Sequence, residues 1–280
     1  MSAQTQKKVF IVTGGASGIG LGITRFLASQ THATLTPVHI SIFDINATAA
    51  AQTVSTLQQE FPAISLSSHQ CDVASWESQA AAFEDVVKHQ GRVDYVFANA
   101  GVTERGTLID KNEEKPSKPV LATLDVNLSG VIYSIKLAIH YMLKNAPNSS
   151  GSKGGIICTA SNAGIYSFPM APFYATAKHG VVGLVRSLAK PLGLEGIQIN
   201  GLAPAVVETN IASDGDLFKH MIITPMSTVT RAVETLLTDS SLTGKIAELY
   251  EGNVTFVEQP AYADENVKKN IEMFWNLGYA

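Results

Sequence analysis

The run Lys8-Val9-Phe10-Ile11-Val12-Thr13-Gly14-Gly15-Ala16-Ser17-Gly18-Ile19-Gly20 decides the fold. Val9 to Thr13 is β-branched or aromatic and reads as a short buried strand. The residues from 18 to about 30 read as an amphipathic helix, so the glycines sit between a strand end and a helix start. Glycine lets the chain turn sharply there and lets a ligand reach the backbone, while the helix start offers free amides and a positive dipole end. Strand, glycines, then helix is the context that a dinucleotide pyrophosphate requires. It nominates Gly14, Ser17, Gly18, Ile19 and Gly20 as the cradle.

Working outward, β-rich runs alternate with helical periodicities along the whole chain. Strands are expected near 8–13, 38–44, 65–70, 93–98, 154–160, 196–202 and 245–249; helices near 18–30, 46–60, 75–89, 122–145, 174–192 and 227–238. Regular alternation predicts an α/β fold: a doubly wound, Rossmann-type parallel sheet of about seven strands with helices on both faces. No repeat or low-complexity tract divides the chain, and one domain over 1–280 is expected. Three stretches stand outside the alternation. Residues 103–119 read as a polar loop, 208–225 as a substrate lid, and 258–280 as an extension in which Phe274, Trp275 and Tyr279 are available to dock.

With 45% apolar and 16% charged residues among 280, the chain can fill a large core and is not disordered. A net charge of −4 gives no electrostatic reason for a nucleic-acid or anionic-membrane partner. Two cysteines, Cys71 and Cys158, make no disulfide framework and have no metal-ligand spacing. The N-terminus lacks the apolar stretch of a secretory signal. A cytoplasmic location and a small-molecule partner are expected.

The second strand closes on Asp44. A carboxylate there accepts from adenosine ribose hydroxyls and repels a 2′-phosphate, and no Lys or Arg occurs at Ile45, Asn46 or in the glycine turn. NAD(H) is therefore expected over NADP(H). Asp44 as a helix N-cap is the alternative, although Asn46 serves that role equally well. Further along, Tyr174 and Lys178 stand four apart and share a helix face. A phenol with pKa about 10 is a poor base at neutral pH. A cation about 4 Å away in an effective dielectric near 20 is worth about 4 kcal/mol, enough to lower that pKa by about three.

The chain resembles the short-chain dehydrogenase/reductase family over nearly its whole length. The resemblance is carried by TGGASGIG at 13–20, Asp44, Asp72-Val73 after the third strand and Asn99-Ala100-Gly101 after the fourth. Asn127 in the long helix, and Ser161 thirteen residues ahead of Tyr174, complete it. KHGVVGLVRS after Tyr174 and LTGKI near the last strand are most similar to the 15-hydroxyprostaglandin dehydrogenase branch.

The resemblance implies NAD as cofactor and hydride transfer at a secondary alcohol or ketone on a medium-sized, mostly apolar molecule. It gives Tyr174 the proton transfer, Ser161 a hydrogen bond to the substrate oxygen, Lys178 the nicotinamide ribose, and Asn127 a water leading to Lys178. Val207 and Thr209 are implied at the carboxamide. There the run Pro204-Ala205 departs from the family's Pro-Gly, which narrows the backbone conformations available. Tyr166, Phe168, Met170 and Phe173, with Phe218 and Met221, are candidates for an apolar pocket wall.

Two other readings stay open: an NADPH-dependent carbonyl reductase, and a dinucleotide-binding regulatory protein without turnover. His140, His179 and His220 have no metal or triad spacing. Apolar residues beyond one stripe on the two long helices (Val131, Ile135, Ile139, Val182, Val185) lead to the expectation of a homodimer or homotetramer.

Overall fold

A computed structural model of the chain describes residues 8–29, 37–209 and 217–278. Eight strands form one sheet in the order β3-β2-β1-β4-β5-β6-β7-β8. They are β1 (Lys8–Thr13), β2 (Pro37–Asp44), β3 (Ser65–Gln70), β4 (Tyr95–Ala98), β5 (Gly154–Thr159), β6 (Ile197–Pro204), β7 (Ile246–Tyr250) and β8 (Asn253–Val257). Every pairing is parallel except that of β7 with β8. The strand β8 joins the seven expected ones as a hairpin partner of β7, and it follows too soon for a crossover helix.

The helices are α1 (Gly18–Ser29), α2 (Ala47–Glu60), α3 (Trp76–Gln90), α4 (Ala122–Met142), α5 (Pro172–Leu194), α6 (Met226–Thr238) and α7 (Glu265–Asn276). Their starts follow from local chemistry. Asn46 Oδ1 accepts the Ala49 amide at 3.0 Å and so caps α2, leaving Asp44 free of that task. Ser75 caps α3 in the same way, and Gly91 ends it in a left-handed conformation. The helix α7 lies within the extension past the last strand and buries none of its residues.

Side chains alternate across the strands and fill a core on each face of the sheet. Phe10 and Val12 of β1 join Ile23, Leu27, Val229 and Leu236 on one side. Val9 and Ile11 join Phe83, Val131, Ile135 and Val185 on the other. This corrects the basis of the oligomer expectation: Val131, Ile135, Val182 and Val185 are buried within the chain itself, and Ile139 packs against them. The helix α4 is long and apolar enough to cross a membrane, but here its Val131, Leu137, Ala138 and Met142 serve that inner core.

Strand order reverses beside β1, whose neighbours β2 and β4 lead away on opposite sides. A crevice opens at the carboxyl ends of the strands at such a switch point. Of the expected lid, 210–216 lies outside the described residues, as do Tyr279 and the link 30–36. The rest of that stretch holds a short 3-10 turn, Leu217–His220, and Thr224 donates its amide to the Val206 carbonyl at 2.7 Å.

Candidate active site

Three strand ends are clamped together by polar side chains. Thr13 Oγ1, at the end of β1, accepts the amides of Asn99 at 2.9 Å and Ala100 at 3.0 Å, and donates to the Phe97 carbonyl at 3.2 Å. Asn99 Nδ2 returns a bond to the Thr13 carbonyl at 3.1 Å, and its Oδ1 accepts from Thr159 Oγ1 at 2.9 Å. The glycine turn then passes so near this clamp that a Cβ at Gly14 would lie 2.9 Å from Ala100 Cα; Gly14 has φ +62°. A Cβ at Gly20 would overlap the Gly14 carbonyl oxygen. Only a glycine fits at either position.

These elements enclose a cleft of about 510 Å³. It is lined by Gly14, Ser17, Gly18, Ile19, Asp44, Asp72, Val73, Asn99, Ala100, Gly101, Ser161, Tyr174, Lys178, Val207 and Thr209. The structure thus brings together every site residue expected from sequence except Gly20 and Asn127, which stand behind the wall. Asp44 Oδ2 accepts the Ala16 amide at 3.1 Å and Oδ1 the Asn46 amide at 3.0 Å, so the carboxylate ties the glycine turn to the end of β2. Asp72 Oδ1 accepts the Ala74 amide at 2.9 Å and shapes the turn that holds Val73.

Pro172 begins α5 at a position where its missing N–H costs nothing. Tyr174 and Lys178 follow one turn apart. Lys178 Nζ donates to the Thr159 carbonyl at 2.8 Å and stands 5.5 Å from the centroid of the Tyr174 ring. Its other two protons remain available, since an ammonium carries three donors. Burial pulls the Lys178 pKa down to about 8, against the opposing pull of the Cys158 thiol.

Burial also pushes the Tyr174 phenol up, and a hydrogen bond from Ser161 opposes it. This corrects the expectation that Lys178 alone would bring the phenol down. The ammonium lies over the ring face, and loss of water around the phenolate is the largest influence on the phenol. Ser161 also accepts the Ala163 amide at 3.2 Å and donates to Asn162 Oδ1 at 3.1 Å, so it caps the 3-10 turn Asn162–Gly164.

Asn127 is fully buried on a π-helical segment, Asp125–Ser129, within α4. Such segments shift the helical register and frequently accompany functional sites. Its Oδ1 accepts the Val102 amide and its Nδ2 donates to the Val102 carbonyl, both at 2.8 Å. The side chain therefore holds the loop that follows Gly101.

Of the expected apolar wall, Phe173 turns into the core, whereas Tyr166, Phe168 and Met170 are exposed. The Phe168 ring lies 6.4 Å from that of Tyr174. Met221 is also exposed. His140 pairs with Lys144 at 2.8 Å, and His179 with the Ala175 carbonyl at 2.9 Å. Among the described residues no group of three or more His, Cys, Asp or Glu side chains is arranged to hold a metal.

Sequence reasoning missed Thr13, Thr159 and Glu104. The first two were visible as hydroxyls ending buried strands, where backbone amides need acceptors. Glu104 carried no local signal, because its partners are about seventy residues away.

A doubly wound sheet with this glycine turn, clamp and Ser–Tyr–Lys cluster is the frame of an oxidoreductase, and the chain belongs to the short chain dehydrogenase family, whose model matches residues 8–217. It is 30% identical over 281 residues to the short-chain dehydrogenase/reductase prx7 of Penicillium rubens, covering 91% of this chain and 95% of that one. The NAD(+) 15-hydroxyprostaglandin dehydrogenase of Homo sapiens is 31% identical over 262 residues, with 86% and 90% covered. Among solved structures, gox2181 superposes with a TM-score of 0.74 at 27% identity, covering 88% of this chain and 95% of that one.

Proposed function

We propose that this chain is an NAD(H)-dependent dehydrogenase that interconverts a secondary alcohol and its ketone on a medium-sized, mostly apolar molecule. One observation carries the reading: Ser161, the Tyr174 phenol and the Lys178 ammonium that lies over its ring line the same cleft as the glycine turn. The cradle fits a dinucleotide because Gly14, Ser17, Gly18 and Ile19 bring the start of α1 to the cleft, where helix amides favour phosphate, and Asp44 lines the same cleft at the end of β2.

When bound, that cofactor supplies the two-electron acceptor or donor. The chain's own residues handle the proton and the geometry. In the oxidising direction the phenolate of Tyr174 takes the proton of the substrate hydroxyl; in the reducing direction the phenol returns it to the carbonyl oxygen. Ser161 donates to that same oxygen and stabilises the charge that develops there. Lys178, held by Thr159, would favour the phenolate by its charge and would offer its remaining protons to the ribose of the cofactor. Asp72 and Val73, which line the cleft beside the end of β3, would hold the adenine, and Val207 and Thr209 would hold the carboxamide. Exposed Phe168, Met170 and Met221 supply apolar surface for the substrate.

Support for NAD(H) comes from the Asp44 carboxylate, which repels a 2′-phosphate. The NADPH alternative draws on Arg105, a cation that lines the same cleft. Screening secondary alcohols with NAD⁺ and NADP⁺ separately, by absorbance of the reduced cofactor, tests both. No turnover with any alcohol would leave only the non-catalytic reading. Two buried free thiols accord with a reducing, cytoplasmic setting. We extend the reading to a lid at 208–225, which requires its amides to gain exchange protection when substrate joins NAD(H).

A further inference from the structure

The helix α5 carries Tyr174 and Lys178, yet it has no cap of its own. Ala171 stands at the N-cap position without a side-chain acceptor, and the first turn holds no acidic residue. The amides near a helix start have no partner inside the helix. Here a remote carboxylate takes two of them. Glu104 Oε1 accepts the Phe173 amide at 3.0 Å and Oε2 accepts the Tyr174 amide at 2.7 Å.

Glu104 belongs to a short strap that leaves the cofactor turn at Gly101. Its residues 102–105 are each tied down. Val102 is held at both backbone atoms by Asn127. Thr123 Oγ1 donates to the Thr103 carbonyl at 3.1 Å and accepts the Arg105 amide at 2.8 Å. Thr123 and Asn127 are both fully buried on α4. One end of the strap is thus clamped to the strand ends through Asn99, the middle to α4, and the Glu104 side chain to the residue that moves the proton. Loop, cofactor cleft and catalytic helix form one bonded unit.

We infer that Glu104 is a positioning residue for Tyr174, setting the phenol in register with the cofactor cleft by gripping the backbone of α5 from the Gly101–Arg105 strap. The inference rests on the dehydrogenase reading above. A displacement near 1 Å at a reacting group costs up to about a hundredfold in rate. A carboxylate is suited to the task because it accepts both amides at once and complements the dipole at the helix start.

The test uses the full chain and the secondary alcohol it oxidises fastest in a panel from 2-octanol to 1-phenylethanol. Glu104→Ala is expected to lower kcat at least about tenfold while NADH affinity and KM stay within about threefold. Glu104→Gln, which keeps an acceptor oxygen, is expected to fall between, and it replaces the alanine variant should that one not fold. Adding Ala171→Ser to Glu104→Ala supplies a local cap; it should restore Tm but not kcat. Turnover of Glu104→Ala within twofold of wild type overturns the inference, and so does recovery of kcat together with Tm in the double variant.

A second readout needs no substrate. The tyrosinate absorbance of each protein minus its Tyr174→Phe counterpart isolates the titration of Tyr174. Loosening α5 should shift that titration, because the burial that raises the phenol and the Ser161 hydroxyl that lowers it both depend on where α5 holds the ring. An unchanged titration also overturns the inference. Failure of the dehydrogenase reading shows separately, as wild-type protein inert toward the whole panel or Tyr174→Phe as active as wild type.

Discussion

Lys178 Nζ stands 5.5 Å from the centre of the Tyr174 ring and is anchored 2.8 Å from the Thr159 carbonyl. The ammonium is thus fixed by the end of β5 over the ring of its neighbour one helical turn away. From this arrangement Tyr174→Phe is expected to remove turnover by about 10²–10⁴-fold, the usual contribution of a general acid–base group. NADH binding, read by fluorescence, should stay within about threefold. A variant that still turns over within tenfold of wild type would exclude Tyr174 as the proton carrier.

Burial of the same pair sets the pH response. The phenol is raised, so the share of phenolate grows with pH, and alcohol oxidation should climb steadily from pH 7 to pH 9. A flat profile across that range would contradict the assignment of the base.

Stability should respond to Lys178 in a defined window. Its pKa falls from 10.5 unfolded to about 8 folded, so charging it opposes folding. The opposition is full below about pH 8 and vanishes above the unfolded value, because between the two the unfolded chain binds the extra proton. Stability of the cofactor-free protein therefore gains on the order of 3 kcal/mol from this group between those limits. Lys178→Met should be more stable than wild type at pH 7, with the gap closing as pH rises to 10. Denaturant titrations at each pH measure it, and a gap that widens with pH rejects the account.

Asp44 joins the glycine turn to β2 through the Ala16 and Asn46 amides while facing the cleft. Asp44→Ala should weaken NAD⁺ binding about tenfold, narrow any preference over NADP⁺, and lower stability by about 1–3 kcal/mol as partly buried amides lose their acceptor. Calorimetric titration of both cofactors decides it. A wild-type preference for NADP⁺ would reverse the reading of this carboxylate.

Glycines in two helices should behave oppositely. Gly20→Ala drives a methyl into the Gly14 carbonyl and the Asn99 amide, and should cost about 1–3 kcal/mol and abolish cofactor binding. Gly183, exposed inside α5 with nothing within 4 Å of a new Cβ, should gain about 0.5–1 kcal/mol as alanine. Thermal melts of the two variants shifting in the same direction would refute the contrast.

Oligomeric state is the remaining expectation, and its support has moved. Of the residues first nominated, Val131, Ile135, Val182 and Val185 are buried inside the chain, whereas Ile271 and Met273 on α7 are each half exposed or more. We propose a homodimer or homotetramer on this surface and on family membership. Light scattering should give a mass of at least about twice the chain's 29.8 kDa at micromolar concentration; a monomer excludes it.

The order of strands and helices, the glycine turn and the Ser161–Tyr174–Lys178 spacing were legible in the sequence because each rests on neighbours a few residues apart. Period, turn chemistry and helical spacing are local properties, and they sufficed for the fold class and for most of the cleft. Tertiary structure decided what depends on distant segments meeting. It made Val131, Ile135, Val182 and Val185 core rather than interface, because α4 and α5 lie flat on the sheet and bury a broad face. It set the Tyr174 phenol above its ordinary value, because the burial of a group is a property of everything packed around it. It joined Thr13 to Asn99 and Glu104 to the start of α5, bonds between residues that no periodicity relates. A sequence shows which groups can donate and accept; which of them meet is settled when the sheet closes and every buried amide must find its partner.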